Sequence, residues 1–497
     1  MTGTTRIIRL PTGSVLSLLL LLAVTLATRA PYLGNPAPSF DEQLYNLIGQ
    51  QMLHGALPYV DLWDRKPIGL FLIFAFSAWF GDLTGLGQVM GYQVVAMLFT
   101  LAGTMLTWRL AAREGTRMAA LAAGIAYPVF MGYYGSFAGQ SEAFYVPLML
   151  AMLALVEAGS RKAGIGAASR YFGMAMLIGG LALQIKYTVA PQCAFLGLAA
   201  LWQLHRKGAR LPRLIPTALT FGLLGLLPTA MAGLFYALAG YWDEFLFANF
   251  ISIFDRGSTG QWFPKSLLPF FLVLAMPAIA GPIALAIGRQ RPTPAYLLRT
   301  GWAASCVASL FMGSTIYAYY FAALVPAAAL MAMPLFSRLG RWPLAALIVL
   351  QLVNYHLPDR FAQSRADRAA LARIARLAAP HVDDREHCLY VFDGPSALYR
   401  ATSSCLPSRF IYPDHLNNAL EAHALGIDTA REVRRILARK PGAIITANRA
   451  VTIPNQRTVA IVRATLAREY HPVASVAFNG RVLTVHLRND GNDGRPG

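Results

Sequence analysis

The apolar run "SVLSLLLLLAVTLAT", residues 14–28, decides how the chain is interpreted. The run is apolar on every side, and with its neighbours it is long enough to cross a bilayer, whereas a soluble core helix carries only an apolar stripe. Arg6 and Arg9 precede it, as they would in a signal peptide, but no convincing small-residue cleavage site follows it and many further apolar runs do. We therefore interpret it as a retained first membrane helix.

The composition predicts the same class for the whole chain, an α-helical polytopic membrane protein. Of the 497 residues, 56% are hydrophobic and only 13% are charged, and the mean hydropathy is +0.46. The formal charge of +19 would suggest a nucleic-acid partner in a soluble protein. Here many of the basic residues lie in short loops between apolar runs, which is the pattern of membrane topology, so no nucleic-acid partner is expected.

The apolar runs predict about eleven membrane helices in residues 1–358. They are placed near 14–29, 87–108, 118–134, 142–158, 171–186, 188–204, 214–238, 266–288, 300–317, 320–336 and 343–358. With a cytoplasmic N-terminus, the cytoplasmic loops hold seventeen Lys and Arg and the outer segments hold six. This bias supports the orientation, and it predicts a multi-pass protein of a bacterial inner membrane.

Residues 30–80 form the predicted first periplasmic loop. Its segment 41–52 has an amphipathic helical pattern, which predicts a helix lying on the outer membrane face. The apolar run 67–80 is too short to span the bilayer and predicts a second interfacial helix.

An odd number of spans places residues 359–490 in the periplasm as a separate α/β domain. The segments "CLYVFDG" and "GAIITAN" predict buried strands, "DTAREVRRILARK" and "RTVAIVRATLAREY" predict amphipathic helices, and "VASVAFNGRVLTVHLR" predicts a hairpin turning at Asn479-Gly480. Residues 491–497, within "NDGNDGRPG", are predicted to be a disordered tail.

The four cysteines fall into two pairs. Cys193 and Cys306 lie in predicted spans and are most simply small core residues. Cys388 and Cys405 lie in the outer domain, where an oxidising compartment permits a disulfide, and their spacing resembles no zinc motif.

The loop "APSFDEQLYNLIGQQMLHGALPYVDLWDRKPIG", residues 37–69, concentrates charge in an apolar chain. Asp41 and Glu42 open the amphipathic segment, either as groups that favour a helix N-terminus or as chemically active carboxylates. Lys66 is expected at headgroup depth on the same face, where it could reach lipid phosphates or neutralise a departing phosphate. Asp61 and Asp64 could each pair with Arg65 or hold the loop.

Further polar residues lie at the outer ends of other predicted helices. Each has a structural explanation, since an acid suits a helix start and tyrosines line membrane interfaces. Together they favour a functional site, because ionisable groups at a membrane are costly. These residues are Glu142 in "GQSEAFYVPL", Lys186, Arg256, and Tyr319 and Tyr320 in "STIYAYYFAALVP".

The order of these features resembles the GT-C superfamily of integral membrane glycosyltransferases. Within it the similarity is closest to bacterial enzymes related to the protein mannosyltransferases and to the lipid A aminoarabinose transferase, and it covers residues 1–340. The resemblance rests on the Asp-Glu pair, on the Gly-x-x-Pro-Tyr-x-Asp that contains Tyr59, and on the Lys-Pro at residues 66–67. It implies a sugar transferase that uses a polyprenyl-phosphate donor.

The resemblance also implies roles for individual residues. Asp41 matches an acid that acts as general base on the acceptor hydroxyl or orients it, and Lys66 matches a lysine that binds the lipid phosphate. Ile68 replaces the second proline of the family's Lys-Pro-Pro motif, and Tyr319 stands where relatives have histidine.

A single displacement at the anomeric carbon would need a base for the acceptor and positive charge for the phosphate, and it would invert the configuration. Lys186 or Arg256 would supplement that positive charge. No cofactor is required, although Asp41 and Glu42 could hold a divalent metal.

Three partners follow from this interpretation: a polyprenyl-phosphate sugar, membrane lipids, and an extracytoplasmic acceptor that is a lipid, a glycan or a protein. One alternative is a polysaccharide ligase or polymerase that uses lipid-linked glycans. That alternative predicts a large outer loop between later spans, whereas the largest outer loop after the first one, residues 240–265, is short. The other alternative is a polytopic transporter, which would be expected to show related halves and polar breaks at the membrane midplane.

Overall fold

The computed structural model describes residues 12–260, 263–354 and 357–489. The tail predicted at 491–497 lies outside the described residues. Fifteen helices precede residue 355 in the described part of the chain. They are α1 Thr12–Arg29, α2 Asp41–Met52, α3 Ile68–Leu83, α4 Gln88–Ala111, α5 Arg117–Tyr133, α6 Ser141–Ser160, α7 Ile165–Leu183, α8 Ala190–Arg206, α9 Leu211–Leu238, α10 Trp242–Leu246, α11 Leu268–Ile287, α12 Pro294–Ser309, α13 Val325–Met331, α14 Met333–Leu339 and α15 Trp342–Asn354.

These helices confirm a polytopic membrane protein. Among the described residues, six helices are long and apolar enough to cross a bilayer, or seven if the segment 318–331 and α14, bent by 54°, form one span. Helices α5 and α8 are each 17 residues long, which is at the lower limit for a helix that crosses a bilayer. The predicted total of eleven spans stays a prediction.

The long helices pack through small residues and present apolar side chains outward. At Gly180 of α7, an added Cβ would lie 2.4 Å from the carbonyl oxygen of Gly225 in α9, so only glycine permits this approach of the two backbones. Leu219 and Leu223 of α9 and Ile279 of α11 are largely exposed. Because so many exposed apolar side chains would be unfavourable in water, these faces are the surface that contacts lipid.

Helix α2 differs from its prediction. Its amphipathic pattern predicted one face on the membrane surface, but residues 42–50 are all buried. At Gly49, an added Cβ would lie 2.6 Å from the main chain of Phe74 in α3, so α2 packs tightly on α3. The C-terminal domain covers α2 as well, since the Ala397 N–H donates to Gln43. The prediction failed because these contacts are made by segments distant in the sequence.

The C-terminal domain is a mixed α/β unit. Its described helices are α16 Leu357–Ala378, α17 Ala397–Ala401, α18 Pro413–Asn417, α19 Thr429–Ala438 and α20 Gln456–Glu469, and its strands are β1 Leu389–Val391, β2 Ala443–Ala447, β3 Tyr470–Phe478 and β4 Arg481–Arg488. The sheet order is β1-β2-β4-β3, with β1 and β2 parallel and the other pairs antiparallel. Asn479 and Gly480 both have positive φ, as a two-residue hairpin turn requires.

A disulfide joins Cys388, which precedes β1, to Cys405, and the two Cα atoms are 4.9 Å apart. Cys193 and Cys306 carry free thiols in α8 and α12.

The first loop is anchored in the C-terminal domain by Trp63. This side chain is 2% exposed and packs against Phe410 and His415. The backbone N–H of Trp63 also donates to the carbonyl of Arg409 at 3.0 Å. The loop between α2 and α3 therefore lies between the C-terminal domain and the membrane helices.

At the ends of the helices that lie away from the C-terminal domain, acidic side chains pair with arginines. Arg299 is 1% exposed and pairs with Glu157 at 2.8 Å and with Glu114 at 3.1 Å. Arg113 also pairs with Glu157. This network ties α6 and α12 to the turn after α4, so these acids have a structural role.

Candidate active site

The predicted site residues converge on the side of the helices that carries the C-terminal domain, from the start of α2, the loop before α3, the start of α6 and the segments around 186 and 320. A loop of the domain, residues 412–421, completes the group.

Asp41 opens α2 and accepts hydrogen bonds from two sides. Its Oδ1 accepts from the Tyr412 hydroxyl at 2.9 Å, and its Oδ2 accepts from the Gln140 side chain at 3.3 Å. The loop that carries Gln140 is fixed by Arg29 at the end of α1, which donates to the carbonyls of Ser136 and Ala138. Two donors from separate parts of the chain therefore orient the carboxylate, and one of them lies on a loop that Arg29 fixes.

Glu42, its neighbour, is buried in a different environment. Its Oε2 accepts from the Gly139 N–H at 2.5 Å, while no described residue hydrogen-bonds its Oε1. Burial raises the pKa of Glu42 to about 8, against the opposing effects of Gly139 and Arg29. The side chain therefore holds a proton at neutral pH, which suits a packing role better than that of a base.

Lys66 faces a pair of acids. Its Nζ is 3.9 Å from Oδ1 of Asp64, and it stands over the ring of Tyr45 at 5.4 Å. Burial lowers the pKa of Lys66, but the carboxylates of Asp64 and Asp41 outweigh this effect and raise the pKa overall. The ammonium is thus charged, and its side chain is still 24% exposed and open to a ligand.

Asp64 is a buried partner of this lysine. Its Oδ1 also accepts from the Arg65 N–H at 2.5 Å. Burial raises the pKa of Asp64, and Lys66 and Arg65 counteract part of that rise.

Lys186 forms a second buried pair with Glu142, and its Nζ lies 2.5 Å from Oε1. Three tyrosine rings surround the ammonium: those of Tyr320 at 4.0 Å, Tyr319 at 5.5 Å and Tyr145 at 5.9 Å. Because a tyrosine face attracts a cation, the cage holds the lysine charge at a fixed position.

Arg65 and Arg256 meet on one carboxylate of the C-terminal domain. Both guanidiniums bond to Glu421, Arg65 through two nitrogens and Arg256 through Nε at 2.6 Å. Arg256 also donates to the Tyr317 hydroxyl at 2.8 Å. Burial would raise the pKa of Glu421, but the two arginines hold it at about 2.

Two predicted supporting residues shape the loop before α3. Tyr59 has a φ of 72°, which is strained for a tyrosine, and its hydroxyl donates to the carbonyl of Lys66 at 2.8 Å. Asp61 accepts from the Leu57 N–H at 2.7 Å and stays at the exposed edge of the loop. Tyr59 therefore positions the Lys66 backbone, whereas Asp61 stabilises a turn.

The sequence analysis missed the domain's contribution, the segment "YPDHLNNALE" at residues 412–421. His415 is buried beside Trp63, and burial lowers its pKa to about 3, so the ring is neutral. Burial together with Asp41 and Glu421 raises the pKa of Asp414 to about 7. The only local signal was four titratable groups within ten residues.

Metal ligands are not grouped at this site. Within the described parts of the chain, no three His, Cys, Asp or Glu side chains are placed to hold one ion. Asp41 and Glu42, the predicted candidates, each accept hydrogen bonds from protein donors instead.

Comparison by sequence finds no matching protein family and no matching curated protein. Comparison of structures does find relatives. The crystal structure of ArnT from Cupriavidus metallidurans in the apo state is similar over 95% of this chain and 98% of that one, at 15% identity and a TM-score of 0.65. The same protein bound to undecaprenyl phosphate is similar over 96% and 98%, at 16% identity and a TM-score of 0.63.

The likeness extends from the membrane helices through the C-terminal domain, since it covers almost all of both chains. The chain therefore has the fold of ArnT, and the predicted polytopic helical fold with a C-terminal α/β domain is confirmed.

Proposed function

We propose that this protein transfers a sugar from a polyprenyl-phosphate donor to an acceptor on the extracytoplasmic side of a bacterial inner membrane. One observation carries the proposal: Asp41, a carboxylate oriented by two donors, shares a site with two lysines, Lys66 and Lys186. The similarity to ArnT, which was crystallised with undecaprenyl phosphate, supports a lipid phosphate as part of the donor.

The arrangement supplies what the displacement needs. Asp41 takes the proton of the acceptor hydroxyl as its oxygen forms a bond to the anomeric carbon. The bond from that carbon to the phosphate oxygen breaks, its electron pair leaves with the polyprenyl phosphate, and Lys66 stabilises the added negative charge. The attack is a single displacement from the opposite face, so the anomeric configuration inverts.

Lys186 has a less direct role than Lys66 in the proposed reaction. Glu142 already neutralises its charge, and the tyrosines fix its position. We assign it, together with the aromatic cage of Tyr319 and Tyr320, to the donor side of the site. Arg65 and Arg256 are held by Glu421 and position the loops around the site.

The test uses the full-length protein in lipid nanodiscs with radiolabelled undecaprenyl-phosphate pentoses and hexoses, and a bacterial membrane extract as the source of acceptor. The measured quantity is the label that leaves the polyprenyl-phosphate fraction. Asp41→Asn is expected to slow transfer by at least ~100-fold and Lys66→Ala by ~10-fold or more. Transfer is expected to persist in EDTA, because Lys66 supplies the positive charge for the leaving phosphate.

Two exposed residues provide matched controls, Asp243→Asn for the acid and Lys265→Ala for the lysine. Both are expected to match the wild type. The proposal is wrong if the folded wild type transfers sugar from none of the donors, or if Asp41→Asn and Lys66→Ala are as active as their controls.

A further inference from the structure

A surface groove of about 470 Å³ lies apart from the site, between α16, the segment that follows α1, and α17. Its floor is apolar and two arginines stand at its edge. The lining includes Pro36, Arg368, Leu371, Ala375, Arg376 and Ala401.

The two arginines stand on one face of α16 and lack acidic partners. Residues 368, 372 and 376 are four apart, so they form a row along the helix, and two turns of about 12 Å separate Arg368 from Arg376. Both side chains are exposed, and neither makes a hydrogen bond or an ion pair with any residue in the described ranges. Two uncompensated guanidiniums along one groove favour an anion between them.

The groove lies at the boundary of the membrane helices. A Cβ added at Gly34, five residues after α1 ends, would lie 3.6 Å from both the Arg368 guanidinium and the Met90 methyl in the first turn of α4. On the other side, Arg400 of α17 is attracted by Asp82 near the end of α3. The ends of three membrane-associated helices thus surround this part of the domain.

We propose that this groove binds an anionic phospholipid. The phosphate lies between Arg368 and Arg376, and the glycerol and upper acyl chain lie on Leu371 and Ala375. A lipid fits better than a soluble anion because the floor is apolar and the groove opens where headgroups lie.

Such a lipid would hold the C-terminal domain close to the membrane near the candidate site. Helix α17, at the groove edge, contacts α2 through the bond from the Ala397 N–H to Gln43 at 3.2 Å. Asp41 is the first residue of α2. The binding itself does not depend on the sugar-transfer activity.

The test is native mass spectrometry of the delipidated full-length protein, titrated with phosphatidylglycerol and separately with phosphatidylethanolamine. The wild type is expected to retain phosphatidylglycerol at a lipid concentration about tenfold lower than it needs to retain phosphatidylethanolamine. Arg368→Gln/Arg376→Gln is expected to lose this preference. A matched double variant, Arg434→Gln/Arg463→Gln on exposed positions of α19 and α20, is expected to keep it.

A second variant, Ala372→Leu, fills the groove and leaves its charges unchanged, and it is expected to reduce retention several-fold. The proposal is overturned if the arginine variant retains phosphatidylglycerol as the wild type does, or if Ala372→Leu has no effect. It is also overturned if millimolar inorganic phosphate or glycerol phosphate displaces the lipid completely, since that result would identify a soluble-anion site.

Discussion

The hydroxyl of Tyr412 donates a 2.9 Å hydrogen bond to Oδ1 of Asp41, across a sequence separation of 371 residues. The donor belongs to the C-terminal domain and the acceptor opens α2, among the membrane helices. Through this bond the domain contributes directly to the candidate site and orients the proposed base.

Removal of this donor should therefore affect the reaction more than binding. Tyr412→Phe is expected to lower kcat about tenfold, because the loss of one hydrogen bond to a charged group lets the carboxylate rotate. The KM for the polyprenyl-phosphate sugar is expected to change less than twofold, since the hydroxyl does not contact the lysines. Steady-state transfer assays measure both constants.

Tyr390 provides the matched control. Its hydroxyl is buried in the same domain and no described residue hydrogen-bonds it, so Tyr390→Phe is expected to preserve kcat. An equal fall in kcat for both variants would show that the effect comes from the domain core and not from the bond to Asp41.

The sequence was sufficient for features that local pattern determines. Apolar runs located the long helices, and Asn479-Gly480 located the hairpin turn, because each needs only neighbouring residues. Asp41 and Lys66 were proposed in the same way, since charge at the edge of an apolar segment is costly and conspicuous.

The parts that were missed depend on contacts between distant segments. The pattern of α2 indicated a surface helix, yet α3 and the C-terminal domain bury it on both sides. Nothing near Tyr412 or Glu421 in the sequence indicates that they meet Asp41 and Arg65, because the relation arises only when the domain docks.

Asp414 should give the protein a distinctive pH dependence. Burial raises its pKa from 3.8 to about 7, so between pH 4 and pH 7 the native state holds a proton that the unfolded state has lost. The contribution of Asp414 to the unfolding free energy therefore falls as pH rises through this window and is constant above it.

Asp414→Asn removes this titration and keeps an oxygen for the Thr452 hydroxyl, which donates to Asp414 at 3.2 Å. The variant is expected to match the wild type near pH 4 and to be more stable by about 4 kcal/mol at pH 8. Thermal unfolding across this range measures the difference. Asp384→Asn, on an exposed side chain, should follow the wild-type profile, and an identical profile for Asp414→Asn would contradict the prediction.

The disulfide should stabilise the C-terminal domain. Cys388 and Cys405 are 17 residues apart, and a cross-link over such a loop contributes about 3 kcal/mol by restricting the unfolded chain. Cys388→Ser/Cys405→Ser is expected to lower the Tm of the domain, and a reductant should lower the wild-type Tm similarly. Cys193→Ser, at a free thiol, should keep this sensitivity to reductant. A reductant that shifts the double variant as strongly as the wild type would rule out this explanation.

Glu421 should hold the C-terminal domain on the first loop, because its buried carboxylate pairs with both Arg65 and Arg256. Removal of one partner from a buried ion pair costs about 3–5 kcal/mol, since the other charges remain desolvated. Glu421→Gln is expected to approach that loss, whereas Glu469→Gln, which breaks an exposed pair with Arg468, should cost under about 1 kcal/mol.

Hydrogen exchange can separate loosened docking from general destabilisation. The Gly257 N–H donates to the Leu420 carbonyl at 2.8 Å, beside Glu421, so its exchange reports on the contact between the membrane domain and the C-terminal domain. Glu421→Gln is expected to speed exchange at Gly257 while the β2 amides, in the centre of the sheet, stay protected. Slow exchange at Gly257 in the variant would show that the domain stays docked without this carboxylate.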